Sequence, residues 1–575
     1  MRSLVVAAAL LLLTACSSTK KAGSPPAGSS GINAGHYTST KHINASNGAV
    51  VSAHPLASMA GLEMLKKGGN AVDAAIATQW ALAVVYPGAG NIGGGGFMVA
   101  RLANKEKIAI DYREMAPSGA HRDMYLDANG NAVAAKSLNG HLSSGVPGTV
   151  AGLFAAQRYA KLPMRVLIQP AIDFAEHGFV ITAAEARGLN ANREDFQQFS
   201  TRPTAFVKQA QWREGDTLIQ KELAATLRRI QENGQPGFYE GETARLIVEE
   251  MKRGSGIISL DDLKTYQAKL RQPLGFTYRG YQIIGMPMPS SGGLLLNQML
   301  KMIEPYNIGA MGFATPAAVQ LMTEAERRAY ADRARYMGDA DFVKVPVKEL
   351  TSEAYLKNRM QDYDPQKAGN SKQTAEGIVP GYESEETTHL SVLDKEGNAV
   401  AVTTTLNNSY GSRTVVGGAG FLLNDEMDDF SAKPGSPNLF GAVGGKANAI
   451  APGKRMLSSM APTLVLKNNA PFLVVGTPGG TTIPTSVFQT IVNIIDFNMS
   501  TDDAVNKPKF HHQWLPDRID IESGFPEQTS RALEKMGYKL YNRKQIGRTE
   551  VIKVQPGGKM EAVADHRGDD SAAGF

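Results

Sequence analysis

The chain has 575 residues, 42% of them hydrophobic and 20% charged, which describes a globular protein with ample material for a core. A formal charge of +5 is small for that length, and no basic run interleaves with aromatics, so nothing points to nucleic acid as a partner. At ~150 residues per domain, length alone allows about four domains.

The N-terminus reads as a targeting segment. Arg2 precedes ten apolar residues, 4–13, too few for a bilayer that needs ~20. Leu13-Thr14-Ala15-Cys16 resembles a bacterial lipobox, so residues 1–15 are expected to be removed and Cys16 acylated. Ser17 after the cysteine resembles lipoproteins sent to the outer membrane, which places the body in the periplasm. Cys16 is the only cysteine, so the mature domain forms no internal disulfide and rests on its core. Residues 16–35, rich in Ser, Gly and Pro, read as a flexible tether.

Helix signals dominate the first half of the body. Residues 56–67 are periodic and stop at Gly68-Gly69; Asn70 is placed to cap a second helix, apolar nearly all round, that ends before Pro87. Gly93-Gly-Gly-Gly96 lacks the Lys-Ser/Thr ending of a phosphate loop and reads as close backbone packing. Residues 97–102 and 107–111 form strand candidates. Leu223, Leu227 and Ile230 mark an amphipathic helix closed by Gly234. Residues 276–285 read as a strand, Ser290-Ser291-Gly292-Gly293 as a capped helix start, and Thr315-Pro316 as the start of a helix ending before Gly338.

At position 387 the chain changes character. An acidic stretch, 381–386, runs into Thr387-Thr388-His389 and then a hairpin: strand residues 390–393, a polar turn at 394–398, and a second strand, 399–406. A threonine at the mouth of a buried hairpin, after a solvated loop, is well placed as a nucleophile. If the Glu386–Thr387 bond is cut, the new α-amine has a pKa of roughly 7.7–8.0 and serves as a built-in base. A second hairpin pairs 463–466 with 472–475. His511-His512 lack any supporting metal-ligand pattern, and adjacent strand residues point to opposite faces, so no metal is expected. Hairpin-rich strands with helices around them indicate antiparallel sheets in an α+β protein without internal repeats.

Several motifs then fall in order: Asp111-Tyr-Arg113-Glu-Met-Ala-Pro117, Thr387-Thr-His389, Thr405-Leu-Asn407, Asn424-Asp-Glu426-Met-Asp-Asp429, Leu457-Ser458-Ser459, Thr477-Pro-Gly479-Gly480, and Phe510-His-His-Gln-Trp-Leu-Pro516. Together, from about His54 to Phe575, this set closely resembles the γ-glutamyltranspeptidases (glutathione hydrolases), a family of N-terminal-nucleophile hydrolases.

The resemblance implies a four-layer α-β-β-α sandwich, self-cleavage between Glu386 and Thr387, and a heterodimer of a large subunit, 36–386, and a small one, 387–575, in one interleaved fold. It implies that Thr387 forms a γ-glutamyl ester resolved by water or an acceptor amino acid or peptide, with no cofactor. Thr405 matches the residue that hydrogen-bonds the nucleophile, and Gly479 and Gly480 match the oxyanion donors.

A γ-glutamyl donor carries an α-carboxylate and an α-ammonium. Arg113, Ser458 and Ser459 suit the first, Glu426 and Asp429 the second, and Asn407 can bridge. In several bacterial relatives a glutamine stands at the place of Glu426. The segment 433–445 matches the family's lid, where Phe440 keeps the ring of the usual aromatic and loses its hydroxyl. A cephalosporin or glutaryl acylase, and a periplasmic binding lipoprotein without catalysis, stay open as alternatives. Glutathione, glutamine and γ-polyglutamate all stay open as donors.

Overall fold

The computed structural model describes residues 31–374, 387–431 and 445–575. The leader, Cys16, the acidic stretch ending at Glu386, and Phe440 lie outside them.

The strands, in chain order, are β1 His42–Ala45, β2 Gly48–Ser52, β3 Gly95–Arg101, β4 Lys107–Asp111, β5 Phe179–Val180, β6 Thr217–Leu218, β7 Lys269–Arg271, β8 Leu274–Tyr278 and β9 Tyr281–Gly285. They continue as β10 Thr388–Asp394, β11 Ala399–Thr405, β12 Thr463–Lys467, β13 Ala470–Gly476, β14 Phe510–His511, β15 Ile519–Glu522, β16 Leu540–Arg543, β17 Glu550–Val554, β18 Met560–Ala564 and β19 Ser571–Gly574. One seven-stranded sheet has the order β19-β2-β10-β11-β3-β4-β7, the other β1-β18-β17-β13-β12-β9-β8. Every pairing in both is antiparallel. A small third sheet, β14-β15-β16, differs: β15 and β16 run parallel.

Alternation along the strands divides the core in two. Leu390, Val392, Val400 and Val402 face the helices α1, Pro55–Lys66, and α2, Ala71–Val85. Leu393, Ala399 and Ala401 face the other sheet, with Val474 and Ile552, in a core that continues beneath the helices Gly292–Ile303 and Thr482–Ile495. The result is the α-β-β-α sandwich. All of α2 is buried, as its all-round apolar sequence requires, and Asn70 and Asp73 close a capping box at its start. The Asp394 carboxylate accepts from the α2 N-terminal amide, Ala71 N, at 2.9 Å and from Asn398 Nδ2 at 2.7 Å, so one turn residue fixes both hairpin and helix.

One local expectation is corrected and another is made specific. Residues 276–285 do not form a single strand: Arg279 and Gly280, at φ 49° and 79°, turn β8 back into β9. The helix Gly292–Ile303 starts where the two serines end, but the serine that accepts from its first amide is Ser290, at 3.1 Å from Gly292 N, and not Ser291. The Ser291 hydroxyl donates instead to the Ser458 carbonyl at 2.8 Å, because Gly292 packs directly on Met460 and Ala461.

The glycine run 93–96 is where backbones meet. A Cβ on Gly94 would lie 2.2 Å from the Thr405 carbonyl and 2.8 Å from Asn91 Oδ1. The same asparagine donates to Thr404 Oγ1 and the Thr405 carbonyl and accepts from Gly94 N and Thr149 Oγ1. Gly94→Ala is therefore expected to lower unfolding free energy by about 1–3 kcal/mol in urea titration. Gly119→Ala, whose Cβ would meet nothing closer than 3.6 Å, is expected to stay within about 0.5 kcal/mol of the parent.

Candidate active site

Thr387 stands immediately before β10, a strand with partners on both sides, and is only 5% exposed. It borders two spaces. The inner one, about 20 Å³, is lined by Thr387, Arg113, Thr405, Asn407, Glu426, Asp429, Ser458, Ser459, Gly480, Met460 and Ile483. The outer one, about 960 Å³, brings Thr387 together with Pro478, Gly479 and residues of α2's C-terminal loop and the small sheet. The candidate residues from six separate stretches of sequence thus converge, with Gly479 on the outer side of the threonine and Gly480 on the inner.

An inner cavity of that size holds about one water, and the reason is electrostatic. The Arg113 guanidinium spans it, bonded through Nη1 to Glu426 Oε1 and through Nη2 to Asp429 Oδ2, with Glu114 at 3.7 Å. Its Nη2 also reaches the Leu457 carbonyl at 3.3 Å. Burial disfavours this cation, but Glu426, Asp429 and Glu114 outweigh that cost and hold it charged. Burial pushes Glu114 and Glu426 above the usual carboxylate range, with Arg113 opposing the rise. Glu426 Oε2 and both Glu114 oxygens have no hydrogen-bond partner among the described residues. The expected division of labour, a cation for one ligand group and carboxylates for another, meets a site whose own charges are paired with each other.

The backbone positions the rest. Asn407 sits at φ 79°; its N–H donates to Thr405 Oγ1 at 2.8 Å and its side chain to the Asp425 carbonyl at 3.1 Å. Burial pushes Asp425 up to about 7. Ser459 Oγ is buried with no partner among the described residues. Gly479 and Gly480, at φ 132° and 55°, adopt left-handed backbone that favours glycine. Their carbonyls accept from Thr482 and Ile483 at the start of the following helix, while their amides have no acceptor among the described residues.

Beneath Thr387 runs a directed chain. Ser391 Oγ donates to the Glu550 carbonyl at 3.1 Å, so it accepts from His389 Nε2, and His389 Nδ1 accepts from Thr403 Oγ1 at 2.9 Å. Burial pushes His389 down to about 3, keeping the ring neutral. His511 and His512 are also buried and held low, bonded to Thr485, Gln513 and Asp517. No group of three or more His, Cys, Asp or Glu among the described residues is arranged to hold a metal.

Sequence reasoning passed over Glu114 and Asp425. Glu114 sits next to Arg113 in the stretch 111–117, and Asp425 sits next to Glu426, so adjacency was the available signal.

Two stacked antiparallel sheets between helices, with a buried threonine heading a central strand beside a glycine turn, define an N-terminal-nucleophile hydrolase. The chain belongs to the gamma-glutamyltranspeptidase family, whose profile matches residues 57–575. The "Glutathione hydrolase proenzyme" of Escherichia coli (strain K12) is 47% identical over 537 residues, 93% of each chain. Among solved structures, Helicobacter pylori gamma-glutamyltranspeptidase is 45% identical with a TM-score of 0.56, covering 59% of this chain and 96% of that one. The cephalosporin acylase from Bacillus halodurans is 26% identical with a TM-score of 0.81, covering 94% and 98%. The chain is an enzyme of this family.

Arg113→Ala would leave three buried carboxylates without their cation, a loss expected to cost about 3–5 kcal/mol. Glu114 and Glu426 are already raised from 4.5 and would rise further. A raised carboxylate contributes its stability below the unfolded value and loses it as pH climbs through the folded value. Urea unfolding should therefore show a larger deficit at pH 8 than at pH 5.

Proposed function

We propose that Thr387, freed by self-cleavage after Glu386, is the nucleophile of a γ-glutamyltransferase and glutathione hydrolase. The observation that carries this reading is that Thr387 borders both a charged inner cavity and a roomy outer cleft. An acyl-transfer nucleophile needs its acyl group on one side and its leaving group on the other.

In the first step the Glu386 carbonyl is attacked by the Thr387 hydroxyl, and water opens the resulting ester. The α-amine so released takes the proton from the hydroxyl when it attacks a γ-glutamyl amide. Thr405 orients the nucleophile, and the amides of Gly479 and Gly480 receive the oxyanion. Binding is an exchange of partners. The donor's α-carboxylate replaces Glu426 and Asp429 on Arg113, with Ser458 and Ser459 as further donors. Its α-ammonium takes up the two carboxylates released, and Asn407 bridges. Charge within the cavity stays balanced, which limits the cost of desolvating both partners.

A second reading, a cephalosporin or glutaryl acylase, is favoured by the likeness to the Bacillus halodurans enzyme. Glu426 and Asp429 weigh against it, since a glutaryl group brings no ammonium to neutralise them. Glutathione fits as donor, and amino acids or short peptides as acceptors. We extend the proposal to an exported precursor anchored through a lipid on Cys16 and facing the periplasm. No helix among the described residues is long and apolar enough to cross a membrane. Phe440, outside the described residues, is assigned to a lid over the inner cavity.

Purified parent protein should migrate as two pieces, the smaller beginning Thr-Thr-His, and should hydrolyse γ-glutamyl-p-nitroanilide well above glutaryl-p-nitroanilide. Thr387→Ala should remain one chain and lose the hydrolysis by at least about a thousandfold. Two pieces from Thr387→Ala, or equal turnover of the two anilides by the parent, would overturn the assignment.

A further inference from the structure

The outer cleft has a chemistry of its own. Part of its lining comes from the small sheet, which adds nothing to either large sheet but presents Arg518, just before β15, Tyr541 and Arg543 on β16, and Lys544 just after it. Arg518 lies over the Tyr541 ring, its guanidinium carbon 3.9 Å from the centroid. Its Nε donates to Asp520 at 2.8 Å, and its two terminal amines have no partner among the described residues. Asp520 also serves Arg543 at 3.2 Å. One carboxylate is therefore shared between two guanidiniums. Lys544 beside them is exposed and makes no ion pair among the described residues. A stacked guanidinium with a free fork, next to a free ammonium, is suited to a carboxylate.

The same cleft carries negative charge elsewhere. Thr182 N donates to Glu185 Oε2 and Thr182 Oγ1 to Asp569 Oδ2, both at 2.7 Å, so these two acids form one spot on the lining. The lining as a whole, with Arg548 and Arg567 besides Arg518, Arg543 and Lys544, is net positive, which suits a ligand bearing a carboxylate.

Resting on the proposed γ-glutamyl chemistry, we infer that Arg518 and Lys544 form an acceptor subsite that recognises the free carboxylate of an amino acid or short peptide, both as it leaves the donor and as it arrives to accept. In the transfer step the acceptor's neutral amine attacks the ester carbonyl. The new N–C bond forms as the carbonyl–Oγ1 bond of Thr387 breaks, and the proton lost by the amine restores the hydroxyl. Holding the carboxylate at the small sheet orients that amine toward Thr387.

The test uses processed enzyme with γ-glutamyl-p-nitroanilide as donor, and compares glycylglycine with glycylglycinamide as acceptors. The parent should show an acceptor KM about tenfold lower for the free acid than for the amide, a preference that shrinks in 1 M NaCl. Lys544→Glu and Arg518→Gln should each bring the two KM values to within about threefold of each other. No preference in the parent, or a full preference kept in either variant, would overturn the subsite. Anilide hydrolysis without added acceptor separates the two ideas: if the parent lacks it, the γ-glutamyl reading fails. If hydrolysis is present and the acid–amide preference absent, only the subsite fails.

Discussion

A guanidinium removed from water governs this site. Arg113 is nearly inaccessible, and such an ion is tolerable only with partners in contact. Glu426 and Asp429 supply them from a turn three hundred residues away, and Glu114 adds a third charge from behind. The pairing brings the segment 424–431 against the segment 455–460, and both against the end of β4. It also shrinks the inner cavity to little more than one water's space. A ligand lacking both a carboxylate and an ammonium would have to break these pairs and leave something buried and unpaired. On the proposed binding mode, selectivity would follow from the cost of isolating a charge, with shape as a secondary filter.

The support behind Arg113 explains why the pocket can hold so much charge in one place. Asp111, two residues back on β4, accepts from Arg113 N and pairs with Arg455 and Arg271. Tyr266 donates to the Arg113 carbonyl at 2.7 Å. Cations and carboxylates thus cluster behind the pocket, and the backbone at Arg113 is held at both its N–H and its carbonyl. Preorganisation of this kind is what a binding site for a small zwitterion requires.

Much of this was legible in the sequence because the signals were local. Asn70 and Thr315 start their helices as their residue types dictate, and the break from acidic loop to alternating apolar strand marks Thr387 without reference to any other residue. The run 93–96 showed its backbone role because four glycines have no side chains to offer. What stayed hidden was non-local. Arg279-Gly280 sits inside a run of strand formers, and only its left-handed backbone reveals the turn. Ser291 looks like a cap until Ser458, far along the chain, takes its hydroxyl. The outer cleft collects Tyr86, Glu185, Arg518 and Lys544, which share no spacing, so no pattern in the sequence could have grouped them. The charges of the inner site were readable as residue types, whereas their mutual pairing depends on tertiary approach.

Strand order shows why a cut before Thr387 is compatible with an intact site. β10 begins at Thr388, so breaking the preceding bond removes no ladder hydrogen bond. β10 and β11 lie between β2 and β3, with Leu390 opposite Ser52 and Thr405 opposite Gly95, and in the other sheet β1 pairs with β18 and β9 with β12. Both sheets are built from strands that lie before and after position 387, and each core is filled by both. Separating the two parts would expose the whole apolar interior, at a cost far above any gain in chain entropy from one broken bond. The architecture thus allows a buried threonine to gain a free amine while every wall of its pocket stays in place.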